Sequence, residues 1–128
     1  RVMVQKARAY LPSQQYNVRL YVADGTMLPF RDGSMDAVFS FGILHHIVDW
    51  RQAVAEISRV LGKGGRFYLE ELYPGAYQNV VTSIVLVHPR QDRFWGNDLR
   101  AVIAKCGMEL KAAREFKRFG ILGVAVKG

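Results

Sequence analysis

The chain has 128 residues, half of them hydrophobic, which suits one domain with its own core, and no apolar run reaches the roughly 20 residues of a membrane-spanning helix. A lone cysteine, Cys106, excludes an internal disulfide, no Cys-x-x-Cys offers a zinc site, and no signal-peptide pattern opens the chain at Arg1, so the cytoplasm is the expected compartment. The net charge of +7 is concentrated after residue 72, where nine Lys and Arg face four Asp and Glu, which fits either a solvated surface or a face for nucleic acid.

Residues 1–11 place Val2, Met3, Ala7, Tyr10 and Leu11 on one helical face, with Pro12 closing it. A helix opening without Met or a capping lead-in makes Arg1 read as a cut end. Val18 to Ala23 alternates apolar and polar residues, the pattern of a strand with one wetter face. It runs into the turn cluster Asp24-Gly25-Thr26, and Pro29 and Gly33 then exclude any long regular element. Asp36 to Gly42 is a nearly continuous apolar run, expected as a strand buried on both faces.

Trp50, Ala53, Val54, Ile57, Val60 and Leu61 next form a helical stripe. Asp49 is its expected N-cap, Gln52 completes a capping-box pattern, and Gly62 stands where a left-handed glycine would stop the helix. A strand follows from Arg66 to Glu71, broken by Tyr73-Pro74-Gly75. Residues 76–85 recur at helical spacing despite their β-branched content. Residues 90–96 read as a loop. A helix capped by Gly96 or Asn97 turns Leu99, Val102, Ile103 and Cys106 inward and stops at Gly107. Met108–Phe116 and Ile121–Val126 read as two final strands around a hairpin-like turn. Strand, helix, strand is the repeat of parallel-sheet α/β domains.

Four linked stretches carry a family signal. They are Asp24-Gly25-Thr26-Met27-Leu28-Pro29-Phe30, Asp32-Gly33-Ser34-Met35-Asp36, Leu44-His45-His46, and Glu56-x-x-Arg59-Val60-Leu61-x-x-Gly64-Gly65. In this order they resemble the class I S-adenosylmethionine-dependent methyltransferases, specifically the small-molecule branch with the ubiquinone and menaquinone biosynthesis enzymes. The resemblance implies an incomplete Rossmann-like methyltransferase fold: a mostly parallel sheet with an antiparallel C-terminal strand and helices on both faces. Residues 1–128 would form one domain, the C-terminal two-thirds of such an enzyme. Lys63 stands where the family usually has proline. No glycine-rich loop follows a first strand, no acidic residue ends a second, and Gly62-x-Gly64-Gly65 follows a helix, the reverse of a cofactor loop's context. With the two central strands absent, strand 36–42 would present an open edge, to be paired by strand 18–23 or by a second copy of the chain.

By the same resemblance the cofactor is S-adenosylmethionine and the acceptor a small molecule. Asp24, Gly25 and Thr26 are expected at the adenine, where a carboxylate suits the exocyclic amine. Ser40, Phe41 and Gly42 are expected beside the methionine portion. An Asp-Gly turn and a core phenylalanine are the plainer readings of Asp24 and Phe41. His45, His46 and Tyr73 are weak candidates for the substrate side, one histidine as a general base, against a reading as ordinary satisfied or exposed residues. Glu70 and Glu71 are adjacent on a strand and so point to opposite faces, and the Arg59 face of the helix reads as solvent. No metal ligand set and no nucleophile motif is present. Methyl transfer needs mainly alignment and dryness, so the lack of an evident acid or base does not count against it. The competing reading is a non-catalytic interaction or RNA-binding module using the basic C-terminal third, with Lys111, Arg114, Lys117 and Arg118 as its contacts.

Overall fold

The computed structural model describes residues 2–11, 17–77 and 93–128. Its elements are α1 (Val2–Tyr10), β1 (Met35–Phe41), a 3-10 turn (Leu44–His46), α2 (Trp50–Val60), β2 (Leu61–Leu72), the single turn α3 (Pro74–Tyr77), α4 (Gly96–Lys105), β3 (Met108–Glu115) and β4 (Gly120–Lys127). The expected helix over 76–85 falls mostly outside the described residues.

The four strands form one sheet in the order β1-β2-β4-β3. β1 runs parallel to β2, and β4 lies antiparallel between β2 and β3. Three strands therefore share a direction and only the C-terminal one opposes them, as the resemblance implies. Alternation decides which side chains are covered. Phe67, Leu69 and Glu71 of β2 stand beside Ala125, Gly123 and Ile121 of β4 on the buried face. Trp50, Ala53, Val54 and Ile57 of α2 and Leu99 and Ile103 of α4 close over that face as one core. Each such large side chain removed from water contributes about 1.5–3 kcal/mol. Phe94 completes the layer, its ring 4.5 Å from that of Trp50.

Helices on both faces are expected, but among the described residues only one face is covered this way. On the other, Phe39 and Phe41 are more than half exposed, and Phe39 stacks on Tyr68 at 4.7 Å. β1 is thus buried on one face rather than two. Helix α1 forms where its periodicity puts it, yet Val2 and Tyr10 on its apolar face are exposed.

The Val18–Ala23 strand does not form: residues 17–23 have no regular structure, and only an isolated bridge joins Asp24 to Met27. A strand needs a ladder partner for its N–H and C=O groups, and no described strand lies beside this segment. It therefore does not take up the free edge of β1.

Helix α2 starts as expected, with the Asp49 carboxylate accepting the Gln52 N–H at 3.1 Å. The return half of the capping box is missing, because the Gln52 side chain donates to the Thr26 carbonyl instead. The helix end also differs from expectation. Leu61 leaves it directly in an extended conformation, and the left-handed glycine is Gly64 (φ 74°), not Gly62. The Lys127 ammonium serves as the missing cap, donating to the carbonyls of Ser58 and Leu61 at 2.7 Å each. A cation suits the negative end of the helix dipole. Helix α4 starts at Gly96 with Trp95 as N-cap and the Asp98 carboxylate accepting the Trp95 N–H at 2.9 Å; Gly107 (φ 74°) ends it.

Candidate functional site

Two loops meet beyond the C-terminal end of β1, the edge where open α/β sheets take ligands. The first begins at Asp24. Its Oδ1 accepts both the Thr26 N–H and the Thr26 hydroxyl at 2.8 Å, which closes a tight turn on the protein surface. Those bonds, the backbone one foremost, hold the exposed carboxyl below the usual Asp range. The turn rests on the second loop through Gly25, where a Cβ would come within 2.9 Å of Ile47 Cδ1. A side chain at Gly25 would push the two loops apart.

A clamp on α2 fixes the rest of the first loop. Glu56 Oε2 accepts the Leu28 N–H at 2.8 Å. Arg59 donates to the carbonyls of Leu28 and Phe30 at 2.9 Å each, to Asp32 at 2.6 Å, and to both Glu56 oxygens at 2.7 and 2.8 Å. The Arg59 face of α2, expected in solvent, is therefore the anchor of residues 28–32. The Arg59 hydrogen bond holds the Glu56 carboxyl below its ordinary value, against the opposing effect of burial. Glu56-x-x-Arg59 was legible as a motif, but its job was not.

The second loop leaves β1 at Ser40, which is buried, and Phe41, which is exposed. Gly42 (φ 60°) turns the backbone left-handed, a conformation that a residue with a Cβ adopts only at a cost. The turn then winds around one carboxylate. Glu71, with no exposed surface, takes Ser40 Oγ at 3.3 Å, the Ile43 N–H at 3.1 Å and the Leu44 N–H at 2.9 Å on Oε1. Its Oε2 faces the His45 N–H at 3.4 Å and His45 Nδ1 at 3.0 Å. The residue was noted in the sequence only as half of an adjacent pair. A signal was there: Phe67, Leu69 and Glu71 share the inward period of one strand, so an acid is placed in a core position. Glu70 points the other way and is exposed, as adjacency requires.

The structure brings Asp24, Gly25, Thr26, Ser40, Gly42 and His45 to this end of the sheet. His46 is exposed, its ring 4.2 Å from that of His45. Tyr73 is buried, and its hydroxyl donates to Glu115 at 2.6 Å, with Arg100 on the other Glu115 oxygen. Burial, then the Glu115 contact, pushes the Tyr73 hydroxyl well above the usual tyrosine range. Among the described residues no cluster of His, Cys, Asp and Glu could hold a metal ion.

Comparison with known proteins places the chain in a family. A methyltransferase-domain family model matches residues 1–69. The demethylmenaquinone methyltransferase of Thermus thermophilus is 38% identical over 73 residues, covering 56% of this chain and 33% of that protein. A solved S-adenosylmethionine-dependent methyltransferase from Mesorhizobium loti superposes with a TM-score of 0.79 at 16% identity, over 98% of this chain and 76% of that one. A methyltransferase solved with the Trm112 activator of Haloferax volcanii gives a TM-score of 0.76 at 24% identity, over 97% of this chain and 66% of that one. The chain spans about a third of the length of the curated relatives it matches. With the domain model covering more than half of its residues and the same sheet recurring in these neighbours, the chain belongs to the class I S-adenosylmethionine-dependent methyltransferases.

Proposed function

We propose that this chain acts as a single domain in methyl transfer from S-adenosylmethionine to a small aromatic or quinone-like acceptor. The observation that supports this best is the contact of Gly25 with Ile47, which brings the Asp24 turn to the loop leaving β1. In this reading Asp24, Gly25 and Thr26 take the adenine. Ser40, Phe41 and Gly42 wall the methionine portion, and His45 and His46 stand toward the acceptor, with Tyr73 behind them. The cofactor supplies an electrophilic methyl group on sulfonium. The protein's part is to bind, align and exclude water. The quinone-like acceptor rests on the names of the curated relatives.

Isothermal calorimetry of the chain with S-adenosylmethionine tests the reading. Saturable heat that weakens in Gly25→Val is expected; no heat at millimolar cofactor would overturn it. The cytoplasm is the compartment this chemistry suits, and no helix of the described residues is long and apolar enough to cross a membrane.

A second reading has its own observation. The uncovered sheet face exposes Phe39, Phe41 and Leu122, and among the described residues β1 is an edge strand, so a second copy pairing along Met35–Phe41 would extend the sheet. Light scattering over a dilution series would then report a dimer; a monomer at all concentrations would remove this idea. The exposed hairpin residues Lys117 and Arg118, with Lys111 and Arg114, would serve an RNA-binding module, whose affinity would fall steeply with salt.

A further inference from the structure

The Glu71 carboxylate is ringed by a hydroxyl, three backbone N–H groups and an imidazole nitrogen. The three backbone N–H groups can only donate, and between them they reach both oxygens, an arrangement that suits a carboxylate. His45 Nδ1 lies 3.0 Å from Oε2, the distance and place of a donor to that oxygen. We propose that Glu71 is the positioning residue of the candidate site, holding the turn after β1 in shape and fixing the His45 proton on Nδ1. The ring's lone pair then belongs to Nε2. Two features make this a fixed arrangement rather than a passing contact. Glu71 has no exposed surface and the His45 side chain has 4%, so water does not compete for either group. The same carboxylate also accepts the backbone N–H of Ile43, Leu44 and His45, which ties ring orientation to the backbone path out of β1. The role of this turn in binding rests on the methyltransferase reading; the proton's location does not.

The test is the position of that proton. Long-range proton–nitrogen spectra of the 15N-labelled chain, taken with the imidazole neutral, are expected to show His45 protonated at Nδ1. The Glu71→Gln variant keeps the shape but changes the pattern. Its amide oxygen is drawn to the three donors at the Oε1 position, which turns the NH2 toward Nδ1. The proton should then move to Nε2, exchanging the two ring nitrogen shifts. Ser40→Ala, which removes only the longest contact on Oε1, should leave the ring as in the parent. A parent His45 protonated at Nε2 overturns the proposal without any variant, as does a Gln variant whose ring shifts stay unchanged. None of these spectra needs the cofactor, so a chain that fails to bind S-adenosylmethionine sinks the enzymatic reading and leaves the tautomer result to be judged by itself.

Discussion

Glu56 and Glu71 do the same job in two different media. Each is a carboxylate on the packed layer that accepts backbone N–H from a loop leaving it, and each fixes one of the two loops that meet at the candidate site. Glu56 works at the rim: its partner is the Arg59 guanidinium, whose side chain is 31% exposed, and water can replace what the pair loses. Glu71 works in the core, where its partners are backbone N–H groups, the Ser40 hydroxyl and the His45 ring, and water has no access. The difference teaches which loop can yield. A tie whose cation is partly exposed is screened and graded, whereas a fully buried one is all or none.

The largest effect expected follows from removing the buried tie. Glu71→Ala orphans the N–H groups of Ile43 and Leu44 and the His45 ring nitrogen in a dry site, and should cost about 3–5 kcal/mol, read from the urea midpoint. That is a large share of a small domain's stability. A loss as small as that of a surface substitution would break the comparison. Arg59→Ala should do less to the urea midpoint and more to one loop. With residues 28–32 released, trypsin should cut after Arg31 faster than in the parent, while the turn at 43–45 keeps its exchange protection. If both loops loosen together, they are one unit and not two.

Acid should separate the two ties further. The Glu56 carboxyl is held below its ordinary value of 4.5 in the folded chain. Its contribution to stability is therefore fully present above that value and lost as pH falls through the lower, folded one. Exchange of the Leu28 N–H, followed downward from about pH 6, should accelerate in that window, and in Arg59→Ala the acceleration should begin at higher pH. An onset that ignores Arg59 would remove the clamp from the account.

The sequence carried the packed layer well because periodicity reports burial. The stripe from Trp50 to Val60, the inward alternation of β2 and the C-terminal hairpin all follow from it. It misjudged elements whose fate depends on a partner. Residues 18–23 alternate as a strand should, but a strand exists only with a neighbour to bond, and local pattern cannot supply one. Gly62 sat at a proper stop position, yet Lys127, 65 residues on in the chain, reaches the helix end and makes a glycine cap unnecessary. The family resemblance pointed to residues on two loops, and the fold brings those loops together at Gly25 and Ile47. What ties the Asp24 loop was hidden, because Arg59 looks solvent-bound until the fold brings backbone carbonyls to it, whereas Glu71 betrayed itself by sharing the inward period of Phe67 and Leu69.

The smallest structural effect should come from Asp24, and it bears most directly on function. Asp24 is exposed, and an asparagine amide oxygen can still accept from the Thr26 N–H and hydroxyl, so Asp24→Asn should leave the urea midpoint where it was. What changes is charge. A neutral amide is a weaker acceptor than a carboxylate for an exocyclic amine, so calorimetric affinity for S-adenosylmethionine should fall by roughly tenfold. Adenosine alone should show the same ratio between parent and variant, since the loss lies at the base. A variant that keeps its fold and its affinity would mean that the Asp24 turn only shapes the loop. The nucleoside contact would then have to be sought around Phe41 and Gly42.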